Sequence, residues 1–249
     1  MRSLLATTLA LVWLLGGCAP KIVDEPVTFE LTRPAIDVDV FAGDVTIDVD
    51  SRYSATTVHL VRRTAHGMFR GDDARASLEH IDASAEMVGV AGVSIVQVRA
   101  TTVDPEPHFQ EVSVRITTPP PSSLRIRTTR GDIELRETSG LIDVATTEAD
   151  INLRTTRPLT EPVAMTTSKG SITLRIPADS RGALDLETVF GVAQIRIPDA
   201  LTTNLSSTGQ GVIRATLNGG ENPIVLRTTN ETIRLEVVTD VVASGNYDG

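Results

Sequence analysis

The residues best placed to do chemistry are four arginines, Arg136, Arg154, Arg175 and Arg196. Each stands five residues after the turn position of a repeated pattern, so the four fall into one column, which Thr216 and Glu236 continue. A guanidinium is a planar fork of donors that matches carboxylate and phosphate groups. Four of them stacked one coil apart repel unless anions share them. Glu134 and Glu137 lie close enough in sequence to do so. The column therefore reads in two ways. It is a solvated, internally paired face, or a stripe that binds an acidic polymer such as a polysaccharide or a phosphorylated glycolipid.

Other reactive types are scattered. Asp132 and Asp150 each follow a turn position in adjacent repeats and could share a cation or do acid/base work, but exposed turn residues of this kind are ordinary. His59, His66, His80 and His108 lie outside the main repeat without metal-ligand spacing and read as surface or loop histidines. No nucleophile elbow, phosphate-binding loop or dinucleotide fingerprint is present. The sequence thus predicts no catalytic residues, no metal site and no cofactor. A net charge of −9 without a basic run argues against nucleic acid as a partner. An aromatic content of 3% is low for a sugar-stacking cleft.

Near the start, Arg2 precedes an apolar stretch, Leu4 to Leu15, too short to span a bilayer. Leu15-Gly16-Gly17-Cys18 then resembles the lipobox of bacterial lipoproteins, in which the cysteine is lipid-modified and becomes N-terminal. Cys18 is the one cysteine of the chain, so no internal disulfide can form. Residues 1–17 are expected to be a signal peptide and residues 18–26 a tether, with the membrane a partner through lipid on Cys18. Ala19 in place of Asp implies the outer membrane, by the same resemblance, where there are two membranes.

The elements that must position the arginines come from a sixfold repeat: LRIRTTRGDIEL, IDVATTEADINL, VAMTTSKGSITL, LDLETVFGVAQI, NLSSTGQGVIRA and IVLRTTNETIRL. Its turn positions, Gly131, Ala149, Gly170, Gly191, Gly211 and Glu231, are 18, 21, 21, 20 and 20 residues apart. Apolar residues alternate with polar ones on both sides of each turn, which makes each repeat two short strands joined by a tight bend. Such a unit cannot bury its apolar face alone, but stacked copies can. The expected fold is all-β: a right-handed parallel β-solenoid with ~20-residue coils, the alternative being an antiparallel β-sandwich. Thr128, Thr146, Thr167, Thr188, Thr208 and Thr228 share the inward parity and predict a stacked hydroxyl column at a corner. That parity argues against an outward ice-binding array. Leu205 falls on an outward position of the fifth copy, so a bulge or a wider corner is expected there.

Before these coils, residues 27–121 supply N-terminal strands and a small α+β insert that caps one end. Gly43-Asp44-Val45-Thr46-Ile47 repeats the turn-and-strand signature, and a short helix is expected from about Asp72 to His80, capped by Asp and burying Leu78. The six coils occupy residues 122–238, and residues 239–249 form a polar, flexible tail.

Residues 27–238 resemble the bacterial putative-adhesin domain of unknown function, a group of envelope proteins built from short β-solenoid repeats. GDVTIDV, TTRGDIEL, TTSKGSITL and the spacing near twenty residues carry the resemblance. It implies a non-catalytic, lipid-anchored cell-envelope protein whose solenoid surface meets a polymer or protein partner: an acidic polysaccharide, a glycolipid or an envelope protein. The alternatives are a polysaccharide-active β-helix enzyme and a structural role in envelope maintenance.

Overall fold

A computed structural model describes residues 20–66, 70–90 and 92–239; the expected signal peptide, Cys18 and residues 240–249 of the expected tail lie outside them. The chain is built from strands β1 (Lys21–Val23), β2 (Val27–Phe29), β3 (Ala35–Val40), β4 (Val45–Val49) and β5 (Thr56–Thr64), then helix α1 (Gly71–Glu79). Strands β6 (Ile81–Val90), β7 (Val93–Thr102) and β8 (Gln110–Thr118) follow. The six repeats supply β9 (Ser123–Thr128) with β10 (Ile133–Arg136), β11 (Leu141–Ala145) with β12 (Ile151–Arg154), and β13 (Val163–Thr166) with β14 (Ile172–Pro177). They continue as β15 (Gly182–Thr188) with β16 (Ala193–Arg196), β17 (Thr202–Thr208) with β18 (Val212–Leu217), and β19 (Pro223–Thr228) with β20 (Ile233–Val238).

Two ten-stranded sheets face each other, each coil giving one strand to each sheet. The fold is the expected β-solenoid. In the first sheet Val114, Val45, Ile133, Ile151, Ile172, Ile233 and Ala193 form one inward column. In the second, Val96, Ile36, Leu124, Ile142, Val163, Ile224 and Leu184 do the same. All fourteen are buried, and full burial of one such Ile, Leu or Val side chain stabilises by about 1.5–3 kcal/mol. The alternation seen in the sequence is therefore the pattern that fills this core.

The order of coils departs from the order of the chain. Along the stack they run β7–β8, β3–β4, β9–β10, β11–β12, β13–β14, β19–β20 and β15–β16. The sixth repeat is inserted between the third and the fourth. The insertion sets Arg227 beside Asp185 and Glu187, at 2.5 Å from each, and Glu236 between Arg175 and Arg196. Stacking in chain order would press Arg175 against Arg196 with no carboxylate between them. The fifth repeat is not a parallel coil either. Both β17 and β18 lie in the second sheet, antiparallel, and a bulge falls between Thr203 and Ser206 at the parity break around Leu205.

Part of the N-terminal insert is itself a coil, since β7 and β8 pair in parallel with β3 and β4. The cap proper is β5, β6 and α1, which buries Ala74, Ser77 and Leu78. The helix has no side-chain N-cap bond, and Asp72 and Asp73 sit in its first turn instead, where they favour the positive end of the dipole. Part of the expected tether is structured, as β1 pairs antiparallel with β5.

The threonine column is real but has five members, Thr208 being exposed on β17. Thr167 donates to Ala149 O at 3.0 Å, Thr228 to Gly170 O at 2.8 Å and Thr188 to Glu231 O at 3.0 Å. Each bond ties a coil to the corner of its spatial neighbour, and so follows the permuted order. Close stacking of these corners is why Gly170 is glycine: a Cβ there would stand 1.8 Å from Ala149 O.

Candidate functional site

The outward face of the first sheet carries the arginine column at the ends of short strands; Leu135, Leu153 and Leu174 before the first three arginines are fully buried, and Ile195 before Arg196 is half-buried. The registers place Asp48, Arg136, Arg154, Arg175, Glu236 and Arg196 side by side in that order. Three of the four sequence-predicted arginines are thus direct neighbours. Arg196 is set apart by Glu236, and its side chain is 86% exposed.

Arg136 is held by a bidentate bond to Glu134 at 2.8 and 2.6 Å, with Asp48 at 3.4 Å on its other side. Hydrogen bonding from Arg136 is the main cause that holds the Glu134 carboxyl below its ordinary range, and the Arg136 guanidinium is raised in turn. Arg154 gives one bond to Glu134, at 3.0 Å. Arg175 is 3.8 Å from Glu236 and, among the described residues, makes no side-chain hydrogen bond. Glu137, the other carboxylate expected to serve the column, accepts from the Thr156 backbone N–H at 3.0 Å.

These side chains border a groove of about 450 Å³ lined by Asp48, Asp50, Tyr53, Arg136, Arg154 and Arg175, with Glu137, Thr155 and Thr156 closing one side. Asp50 and Tyr53 come from the loop between β4 and β5, brought here because β4 lies beside β10. Asp50 is bound by Arg52, whose side-chain hydrogen bond is the main cause lowering its carboxyl to about 2. Tyr53 is 41% exposed and puts an aromatic ring at the rim. Two cations with unused donors and one aromatic face suit the binding of an anion carried on a ring or a polymer.

Sequence reasoning missed Asp48 and Tyr53. Asp48 was within reach, because it stands five residues after Gly43, the spacing that defines the arginine column. Tyr53 carried no such signal.

The second sheet differs. Arg99 and Arg125 both bind Asp37, Arg127 binds Asp143, and Arg227 and Arg214 share Asp185. Each of these cations lies within 3.3 Å of a carboxylate, whereas Arg175 and Arg196 on the first sheet come no closer than 3.8 Å to theirs.

The remaining candidates are structural. Asp132 Oδ1 accepts from Asp150 N at 3.3 Å, and Asp150 Oδ1 from Ser171 N at 2.7 Å, a ladder that closes backbone groups at the corners. Among the described residues no group of His, Cys, Asp and Glu has metal-site geometry. His66 is buried, not a surface residue, and packs on Phe109 at 4.8 Å. His80 bonds Asp104 at 3.0 Å. No described helix is long and apolar enough to cross a membrane.

A family model described as Toastrack DUF4097 matches residues 89–236. This chain belongs to that family. The Toastrack match begins inside β6, so β3–β4 stand outside it although they stack within the same solenoid. A putative cell adhesion protein from Clostridium sporogenes ATCC 15579 shares the fold at 7% identity and a TM-score of 0.58, over 86% of this chain and 99% of that one. A putative adhesin from Bacteroides fragilis NCTC 9343 aligns at 10% identity with a TM-score of 0.27, over 88% of this chain and 97% of that one. No curated protein matches the sequence as a relative.

Proposed function

We propose that this Toastrack protein is a non-catalytic, lipid-anchored envelope protein that uses the arginine groove of its first sheet to hold an acidic polymer or glycolipid. The observation that carries the reading is the pair Arg154 and Arg175, adjacent in register and lining one groove with donors left over. Net acidity does not oppose it, because counter-charge acts over about a Debye length, ~8 Å at physiological salt. The cell-adhesion name of the similar Clostridium sporogenes structure agrees with a surface role. The lipobox-like sequence at Cys18 supports the anchor and an envelope location.

Support for a non-catalytic role comes from the carboxylates. Glycoside cleavage needs one carboxyl held neutral beside an ionised one. In the groove, Asp50 is pulled down to about 2 by Arg52, Glu137 is engaged by Thr156, and Asp48 faces Arg136. None is placed in the apolar surroundings that would keep it protonated.

The test is to offer residues 20–249 a panel of acidic and neutral polysaccharides and envelope glycolipids, reading binding and chain length in the same samples. Salt-sensitive binding without shortening, lost in Arg154→Ala/Arg175→Ala, is the expected result. Shortening of any polymer would overturn the reading in favour of an enzyme.

A further inference from the structure

At the capped end of the stack the two sheets stop at different points. There β6, the last strand of the second sheet, faces β5. The first sheet goes one strand further, because β1 and β2 both pair with the outer edge of β5. No described strand lies opposite β1 and β2. Helix α1 covers only one end of this place: Thr64, at the end of β5, donates to Ala74 O at 2.8 Å, and Gln110, at the start of β8, donates to Ser77 O at 2.6 Å.

Side chains that face into the place are exposed, unlike their neighbours one strand inward. Met87 has the inward parity of Val96, its partner on β7, yet it is 57% exposed while Val96 is fully buried. On the other wall Ile22 pairs with Arg62 and Val27 with the buried Val58, so both point inward, and they are 38% and 36% exposed. Asp24 and Arg62 form an ion pair on that wall, in which Asp24 Oδ2 and Arg62 Nε find no hydrogen-bond partner among the described residues.

The backbone of β6 is unmet along the same side. His80 O accepts from Val103 N, so the even-numbered residues of β6 bond to β7. The odd-numbered ones point their N–H and C=O groups away from β7, and Ile81 O is met by Arg62 Nη1 at 3.3 Å. Among the described residues nothing meets those groups of Ala83, Ala85, Met87 and Gly89. The edge carries no Lys, Pro or bulge to discourage pairing.

We propose that β6 accepts one extended segment of another protein, which adds a strand to the second sheet opposite β1 and β2. It runs antiparallel to β6, the better-bonded pairing. Residues 83–89 span ~20 Å, which fits about seven residues of the partner. Alternate side chains of that segment turn inward onto Met87, Val27 and Ile22, so they are apolar. The others lie on the outer face beside Asp82 and Glu86, which are exposed. The outward cation of β7, Arg99, is held by Asp37, so the partner's outward residues are basic. A second copy cannot meet β6 edge to edge, because a two-fold axis would put the overhanging β1 and β2 of both copies in the same space. Residues 240–249 carry Asp240 and Asp248 and no cation, the wrong charge for this edge.

The probe is the heptapeptide KVKVKVK, labelled with fluorescein and titrated by fluorescence polarisation with residues 20–249, which contain the whole described fold. Saturable binding is expected. N-methylation of the valine amides, which face β6, keeps every charge and removes main-chain bonds, and should weaken binding at least about tenfold. EVEVEVE should bind at least about tenfold more weakly than KVKVKVK. Ala85→Pro takes one N–H from the open edge without touching the pairing to β7, so it should abolish binding and leave the thermal midpoint in place. No saturable binding overturns the proposal, as does an N-methylated peptide or a folded Ala85→Pro chain that binds as its parent does. EVEVEVE, or a peptide of residues 239–249, binding more tightly than KVKVKVK overturns the basic partner. Should Ala85→Pro fail to fold, the N-methylated peptide decides by itself.

Discussion

Arg175 pairs across the sheet with Glu236 of the last repeat, and not with Arg196 of the next one. One register fixes both the order of the coils and the extent of the arginine groove. Because β20 lies between β14 and β16, and β19 between β13 and β15, the last repeat is an interior piece of the stack.

Ending the chain after Asn218 is therefore expected to do far more than peel off a terminal coil. It removes the strands on which β15 and β16 pair, leaving β15–β18 attached only by connections. Limited proteolysis should cut within residues 182–217 while a fragment ending near Pro177 survives. In a solenoid stacked in chain order the same truncation would leave the fourth repeat protected, and that pattern would refute the permuted order.

Much of this was written in the sequence. The alternation of Ile133/Leu135, Ile151/Leu153 and Ile172/Leu174 gave strands, parity and parallel register, because side-chain period and core burial are local properties. The order of the coils was not local. Inward residues of every repeat are nearly interchangeable, so core pattern alone does not choose which repeat sits beside which. The outward residues show the difference: Glu236 closes the arginine column in sequence, and the fold places it second from the end. The β7–β8 coil was also hidden, since its corner passes through Pro105 and Pro107 instead of a tight glycine turn.

The corners predict two contrasting glycine substitutions. Gly170→Ala sets a methyl group 1.8 Å from Ala149 O, so the coils must part, at a cost of about 3 kcal/mol by overpacking. Gly209 has open space around it but a φ of +64°, so Gly209→Ala should cost only about 1 kcal/mol in backbone strain. Urea denaturation of the two variants should separate them clearly, and equal effects would argue that the corners do not bear on one another.

Threonines of one column should respond differently to loss of the hydroxyl. Thr167→Val leaves the Ala149 carbonyl without its donor and should destabilise by about 1–2 kcal/mol. Thr146 has a buried hydroxyl with no partner among the described residues, so Thr146→Val removes an unmet polar group and should be neutral or stabilising by up to about 1 kcal/mol. Chemical unfolding midpoints of the pair test the assignment, and a large loss in Thr146→Val would point to a partner outside the protein.

Acid sensitivity has a definite sign at Asp104. Its carboxylate accepts from His80 at 3.0 Å and from the Glu106 backbone N–H at 2.8 Å, and the His80 bond is the main cause lowering it to about 2. A carboxyl depressed by folding stabilises above its unfolded pKa of ~3.9. That stability fades as pH falls from about 4 to 2. Asp104→Asn should flatten the slope of stability against pH in that window and leave it unchanged between pH 5 and 7. A slope equal to that of the parent protein would place the acid response elsewhere.

Glu236 is the simplest handle on the groove. It stands 3.8 Å from both Arg175 and Arg196, too far for a firm hydrogen bond, and exposed pairs of this kind contribute about 0–1 kcal/mol. Glu236→Ala should therefore change the unfolding free energy by less than about 1 kcal/mol, while joining Arg196 to the other three cations without a carboxylate between. On the proposed reading, binding of an acidic polysaccharide tightens severalfold and becomes more salt-dependent, because removing the negative charge leaves more positive charge for the polymer to neutralise. Titration of parent and variant at two salt concentrations measures both effects. If Glu236→Ala leaves affinity and salt slope as they were, the polymer does not lie along this column, and the groove is only a paired face.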